Sequence, residues 1–176
     1  CTVIVCDATQ RAFVVDPGRD VEPYIAEAAE HGYEIAFVAD THGHNDYLSG
    51  SAPLAERTGA VGVAHVSSDD VWSARRLEHG EHFQVGEIDI EIVHTPGHTP
   101  EHTAFLVREP GAELPVLVSG GSLLVGDVGR PDLLGGVEVS NAAASSLMHT
   151  VLDVLMQLDD DVRVLPTHVA GSLCAG

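Results

Sequence analysis

Short apolar runs rich in Val and Ile recur along the chain, and turn residues close each of them. Ile88, Ile90 and Ile92 alternate with Asp89 and Glu91, which indicates a strand with one face toward water. The pattern predicts about nine strands: 2–6, 12–15, 35–38, 61–64, 83–85, 88–93, 103–107, 116–118 and 162–165. The first two read as a hairpin.

Helical spacing of apolar residues predicts helices over 21–30, 52–57 and 142–158. Pro23 falls in the first turn of the first helix, where proline is tolerated. The Gly-rich stretch 120–136 has no periodicity. Strands with interspersed helices suit two sheets flanked by helices, but the pattern alone does not choose this over another α/β sandwich. The length of 176 residues predicts a single domain over 1–176.

The charge balance is strongly acidic: 27 Asp and Glu against 8 Lys and Arg give a net charge of −19. Such a surface repels phosphate, so we expect neither nucleic acid nor an anionic membrane as a partner. A solubility feature is favoured over an acidic docking face. No apolar run reaches the roughly 20 residues of a membrane span, and the first residues do not read as a secretory signal. A cytoplasmic location is therefore expected, with the cysteines reduced.

The chain has 11 histidines, and several follow directly after predicted strands. His42, His98 and His168 each stand after an apolar strand and a tight turn. Side chains past strand ends meet at one edge of a sheet, and imidazole is a common metal ligand. His44 follows His42 at i, i+2, which points both rings the same way in extended chain. The pattern predicts a metal site at this edge.

Four segments carry a resemblance to a known family. Residues 41–50 (THGHNDYLSG) look like the His-x-His-x-Asp signature of the metallo-β-lactamase superfamily. Residues 96–102 (PGHTPEH), 125–133 (VGDVGRPDL) and 168–174 (HVAGSLC) are similar to its persulfide dioxygenase branch, whose members are often fused to rhodanese domains. The resemblance covers essentially the whole chain. It implies an αββα sandwich of two mixed sheets flanked by helices.

The resemblance also implies one Fe(II) ion that oxidises a glutathione-type persulfide to sulfite with O2. Tyr47 stands where most hydrolases of the superfamily have a further His, which disfavours a second metal. The iron ligands would be His42 and His98, with His44 and His168 as nearby or alternative ligands. The expected carboxylate ligand falls on Gly121. Three outcomes stay open: water or another anion fills the place, the metal shifts toward His44, Asp46 and His168, or the site is empty.

Asp46 and Arg130 are the candidate catalytic residues. Asp46 lies beside the predicted ligands, and Arg130 is suited to orient an anionic substrate. A loop salt bridge with Asp127 or Asp132 is the alternative for Arg130. Cys174 either lines the site or is a packed thiol.

Two alternative functions remain besides the dioxygenase. One is a glyoxalase-II-like thioester hydrolase with Zn(II), and the other is a degenerate binding protein without activity, which the loss of the carboxylate at Gly121 favours. The expected substrate is a small-molecule thiol persulfide. The sequence leaves open a rhodanese partner and a homodimer.

Overall fold

The computed structural model describes residues 1–168, and its framework is two five-stranded sheets and a two-stranded hairpin. The first sheet has the order β1-β2-β3-β4-β5. Its strands are Thr2–Cys6 (β1), Arg11–Val15 (β2), Glu34–Ala39 (β3), Val61–His65 (β4) and Arg75–Leu77 (β5). β1 runs antiparallel to β2, and the remaining neighbours are parallel. The predicted hairpin 2–15 is confirmed.

The second sheet has the order β12-β9-β8-β7-β6. Its strands are His82–Val85 (β6), Ile88–His94 (β7), Thr103–Arg108 (β8), Val116–Gly120 (β9) and Arg163–Pro166 (β12). β6 to β9 form an antiparallel meander, and β12 pairs in parallel with β9. Leu123–Leu124 (β10) and Asp127–Val128 (β11) form the small hairpin. Both large sheets are therefore mixed.

Three helices cover the outer faces: Glu22–His31 (α1), Ser51–Thr58 (α2) and Val137–His149 (α3). The central core lies between the sheets, where Phe13 contacts Phe83 and Phe105 edge to face. A second cluster joins the first sheet to α1 and α2, through residues such as Val38 and Leu54. A third cluster packs the residues that follow α3 against the second sheet. These layers confirm the αββα sandwich.

Two details differ from the sequence prediction. The described residues form twelve strands rather than about nine, because β5, β10 and β11 are two or three residues long and carry no periodic signal. The predicted helix 142–158 begins earlier, at Val137, and continues past His149 as a π turn (Thr150–Val154) and a 3-10 turn (Leu155–Gln157). In the described chain no helix is both long and apolar enough to cross a bilayer.

The start of the π turn ties the helix to a loop of the site. The Thr150 hydroxyl donates a hydrogen bond to the carbonyl of Pro96 at 2.6 Å. Gly97 has a positive φ of 138°, and a Cβ there would lie 2.5 Å from Leu147 Cα. Only glycine therefore lets α3 pack directly on the loop that carries His98.

Candidate metal centre

Loops that leave three strands meet at one edge of the sandwich and bring five histidines together. His42 and His44 follow β3, His98 and His102 follow β7, and His168 follows β12. The ring centre of His42 lies 4.2 Å from that of His44, 4.8 Å from His98 and 5.4 Å from His168. The rings predicted to converge at this edge are thus adjacent in the fold.

His42 and His168 each present an unprotonated Nε2 to the other. Thr41 Oγ1 donates its proton to Asp16 Oδ2 at 2.8 Å, so it accepts a hydrogen bond from His42 Nδ1 at 2.8 Å. His168 Nδ1 lies 3.3 Å from Asp46 Oδ2, and the carboxylate favours the proton on that nitrogen. Both Nδ1 atoms therefore carry the proton. The two Nε2 atoms lie 3.4 Å apart with facing lone pairs, an arrangement that a shared cation stabilises.

His44 and His98 each bury a nitrogen that has no hydrogen-bond partner. His98 Nδ1 donates to the carbonyl of Arg130 at 2.9 Å, which leaves Nε2 with the lone pair. His44 Nε2 donates to Asp16 Oδ1 at 3.0 Å, which leaves Nδ1 with the lone pair. Neither free nitrogen has a partner among the described residues. Buried polar atoms of this kind need an explanation, and a metal ion supplies one.

Asp16 holds this cluster together, although the sequence showed it only as a strand-ending residue. It has a left-handed φ of 54° and is 1% exposed. Its carboxylate accepts hydrogen bonds from the Thr41 backbone N–H at 2.6 Å, from His44, and from the Thr167 hydroxyl. Burial raises its pKa, but these hydrogen bonds and the nearby His44 hold the pKa below its usual range. A single carboxylate thus connects the loops after β2, β3 and β12.

His42, His98 and His168 are held in the neutral form. Burial, together with the neighbouring imidazoles, lowers the pKa of His42 well below its usual value. Burial also lowers the pKa of His98 and of His168. Metal ligation requires the unprotonated imidazole. The site is therefore ready to bind a cation at neutral pH without first releasing protons.

Gly121 faces the cluster, as the family pattern implies for the missing carboxylate. A Cβ at this position would lie 2.8 Å from His98 Cδ2 and 3.3 Å from His42 Cε1. The Gly121 N–H donates to His102 Nε2 at 3.0 Å. His102 is fully buried, stacks on His42 and has its pKa lowered by burial to about 3. No role is predicted for His102 from the sequence, although it is part of the PGHTPEH segment.

The remaining predicted site residues occupy defined places. Asp46 contacts His168, so it is positioned to orient that ring. The guanidinium of Arg130 forms a two-point ion pair with Asp132 at 2.7 and 2.9 Å, which was the alternative weighed for it. The backbone carbonyl of Arg130, and not its guanidinium, contacts His98 in the site. Cys174 lies outside the described residues.

A cleft of about 550 Å³ opens beside His42 and His44. Tyr47 is also part of its lining; its ring stacks on His44 at 4.2 Å and its hydroxyl donates to the Asp16 carbonyl. Tyr47 is the residue that the resemblance places where most hydrolases of the superfamily have a further His. The lining also includes Trp72.

The donor set fits a divalent metal that accepts imidazole. The facing nitrogens of His42, His44 and His168 lie within 4.8 Å of one another. Asp16 and Asp46 bind the outer nitrogens of two of these rings, the usual arrangement behind metal-binding histidines. Imidazole suits zinc, iron, copper and nickel. This set of imidazole donors is compatible with both Fe(II) and Zn(II).

Comparisons with known proteins agree with this geometry. Hydroxyacylglutathione hydrolase from Polaromonas sp. is 31% identical over 94% of this chain, which spans 60% of that relative's length. A metallo-β-lactamase from Staphylococcus aureus superposes with a TM-score of 0.87 at 35% identity, over 99% of this chain and 53% of that one. ETHE1 from Myxococcus xanthus superposes with a TM-score of 0.83 at 30% identity, over 99% of this chain and 72% of that one.

The family model for the metallo-beta-lactamase superfamily matches residues 1–168. Because the match covers nearly the whole chain and includes each of the histidine loops, this protein belongs to the metallo-β-lactamase superfamily.

Proposed function

We propose that the chain is a mononuclear metalloenzyme that oxidises the persulfide of a small thiol, in the manner of the persulfide dioxygenases. The observation that carries this proposal is Tyr47, which stands in place of a second metal's histidine and stacks on His44, beside ring nitrogens of His42, His44 and His168 that lie within 4.8 Å of one another. The similarity to ETHE1 supports the same branch of the family.

The reaction consumes one persulfide, one O2 and one water and gives the thiol, sulfite and two protons. The terminal sulfur is oxidised, O2 is reduced, and water supplies the third oxygen of sulfite. Bound iron supplies the one-electron chemistry that side chains lack. His42, His44, His98 and His168 would hold it. Asp16 and Asp46 fix the protons of His44 and His168 on the outer nitrogens.

Thioester hydrolysis is the second candidate, and the donor set favours it specifically. Gly121 removes the carboxylate of a two-His-one-carboxylate iron site, so the nearest donors are all imidazoles. Three imidazoles with an open position are a known catalytic zinc arrangement, in which the bound water becomes acidic. The similarity to hydroxyacylglutathione hydrolases supports this candidate. Water would then cleave the thioester into an acid and a thiol.

A degenerate binding protein is the third alternative. Against it stands the orientation of the rings: His42, His44, His98 and His168 each have the outer nitrogen fixed by a defined partner. Such support maintains ligand geometry and has no use in an abandoned site.

Metal analysis followed by paired assays separates these functions. The protein is purified without air in the presence of Fe(II), and separately with Zn(II), and its metal content is measured. We expect about one ion per chain, with O2 consumption and sulfite release from glutathione persulfide by the iron form. Hydrolysis of S-lactoylglutathione by the zinc form, without O2 consumption by the iron form, would move the assignment to the hydrolase. Metal retention without either turnover would support the binding protein.

A further inference from the structure

The cleft beside the metal centre has an unusual charge. Three segments form its walls: part of the loop after β3 with the start of α2, the loop 67–72, and Pro100 with Glu101. Four carboxylates are among its lining residues: Asp40, Asp69, Asp70 and Glu101. Within residues 1–168 no Arg lines it, and the whole chain contains no Lys. Any ligand that reaches the metal from this side passes a wall of negative charge.

Two of these carboxylates have structural partners and two are more open. The Asp40 carboxylate accepts hydrogen bonds from the hydroxyls of Ser49 and Ser51. Glu101 Oε1 accepts the Gly43 N–H at 3.0 Å. The Asp70 carboxylate accepts a hydrogen bond from the neighbouring Ser68 hydroxyl and is partly exposed, and Asp69 is exposed. The charges of Asp69 and Asp70 therefore act on whatever occupies the cleft.

The eight basic residues, all Arg, are used elsewhere or lie outside this wall. Arg57 pairs with Glu22, and Arg108 pairs with Glu91. Arg76 donates hydrogen bonds to the backbone carbonyls of Ser68 and Asp70 in the acidic loop. The positive charge of Arg76 offsets part of the negative charge of this loop. No guanidinium is left in the cleft lining to receive a substrate carboxylate.

Aromatic rings and one unpartnered nitrogen complete the cleft. Trp72 packs directly on β4, where a Cβ at Gly62 would lie 2.6 Å from its ring. Tyr47 lies on the metal side. The faces of both ring types attract cations. The His44 side chain is 1% exposed, and its buried Nδ1 lacks a partner. Because His44 is also part of the cleft lining, the acidic wall adjoins the proposed metal position.

We propose that this cleft binds the thiol portion of the substrate as a cation, with an ammonium group toward Asp69 and Asp70 and without free carboxylates. The inference rests on the proposed function, because it concerns the substrate of the same metal site. The resemblance to persulfide dioxygenases implies a glutathione-type persulfide, whose net charge is negative. The acidic wall instead opposes glutathione and attracts an amine-bearing or esterified thiol.

The test compares two ligands that differ in charge but share a scaffold. S-methylglutathione carries two carboxylates and one ammonium, whereas its diethyl ester carries only the ammonium. Trp72 is the single tryptophan of the chain, so its fluorescence reports occupancy of the cleft in the metal-loaded protein. We expect the ester to bind about tenfold more tightly at low ionic strength, with the preference shrinking as salt is added.

A double variant and a matched control locate the effect. Asp69→Asn with Asp70→Asn should reduce the preference for the ester to within about threefold, because the side-chain shape is kept and two charges are removed. Asp159→Asn with Asp160→Asn makes the same change of net charge at exposed residues outside the cleft lining, and should leave the preference intact. Equal or tighter binding of the free acid, or an equal effect of the control variant, overturns the inference.

Failure of the proposed function is a separate result. If the ester preference holds but neither persulfides nor thioesters are turned over, the charge assignment stands and the enzymatic proposal fails. If glutathione persulfide is oxidised faster than an esterified persulfide at equal concentration, the enzyme stands and the charge assignment fails.

Discussion

Asp16 Oδ1 accepts a hydrogen bond from His44 Nε2 at 3.0 Å across 28 positions of sequence, and both side chains are almost completely buried. The pair fixes the proton of His44 on the outer nitrogen and leaves Nδ1 free toward the metal position. The same carboxylate holds Thr41 and Thr167, so one side chain determines how two histidine loops meet.

Asp16→Asn tests this relationship. Asn tolerates the left-handed backbone that Asp16 adopts, so the substitution changes mainly the charge and the acceptor count. We expect metal affinity to fall about 10- to 100-fold. The free energy of unfolding of the metal-free protein should fall by about 2 kcal/mol, because buried donors lose their partner. Metal titration and denaturant unfolding measure the two effects. Asp7→Asn, at an exposed turn, is the control, and equal losses there would contradict the role of Asp16.

Gly121→Asp restores the carboxylate that the family pattern places in the site. The new Cβ approaches His98 Cδ2 to 2.8 Å, so the His98 ring must shift slightly. We expect Fe(II) affinity to rise about tenfold or more, because an anionic ligand joins neutral imidazoles. Gly121→Ala adds the same steric contact without the carboxylate and should not strengthen binding. Identical iron affinities for the two variants would show that position 121 does not reach the metal.

The variant Arg130→Gln removes the guanidinium of Arg130 and keeps its backbone carbonyl, so it tests the two roles independently. The backbone carbonyl holds His98 in the native chain, and any residue at position 130 supplies it. The guanidinium pairs with Asp132 at the surface, so we expect a stability loss below about 1 kcal/mol. Metal affinity, measured by competition with a chelator, should stay unchanged. A raised KM at constant metal content would instead support the predicted role of Arg130 in orienting an anionic group.

His65 makes stability depend on pH in a site away from the metal ligands. Burial lowers its pKa to about 4, and its ring stacks on His94 at 3.8 Å. In the unfolded chain the His65 side chain therefore takes up a proton near pH 6.5, whereas in the folded chain it stays neutral at that pH. This contribution to stability is complete above pH 6.5 and is lost as the pH falls toward 4. We expect it to lower the free energy of unfolding by roughly 1 kcal/mol between pH 7 and pH 5.

Denaturant unfolding at several pH values measures this loss. The variant His65→Asn retains an acceptor for the Ser67 N–H but does not titrate, so its pH slope should be shallower. His31→Asn, at the exposed end of α1, serves as the comparison and should retain the native slope. If the free energy of unfolding of His65→Asn depends on pH as strongly as that of the native chain, His65 is not the source of the pH dependence.

The sequence by itself determined the larger elements and the loops that carry chemistry. Period-two and helical patterns fixed β7, the first hairpin and α1 closely, because burial of one face requires those periods. The positions of His42, His98 and His168 after strands predicted that these rings meet at one edge, and the family motifs identified Gly121 as the position where a carboxylate is expected. Local order in the chain is enough for these features.

Only the tertiary structure decided which partners surround the histidines. Asp16, the Gly121 N–H and the Arg130 carbonyl contact ring nitrogens of His44, His102 and His98, across sequence separations of 19 to 32 residues. The hydrophobic period of a single segment does not predict such contacts, because they arise when loops that are far apart in the chain meet. The acidic cleft likewise joins segments that are far apart in sequence, so its charge became visible only when the chain was folded.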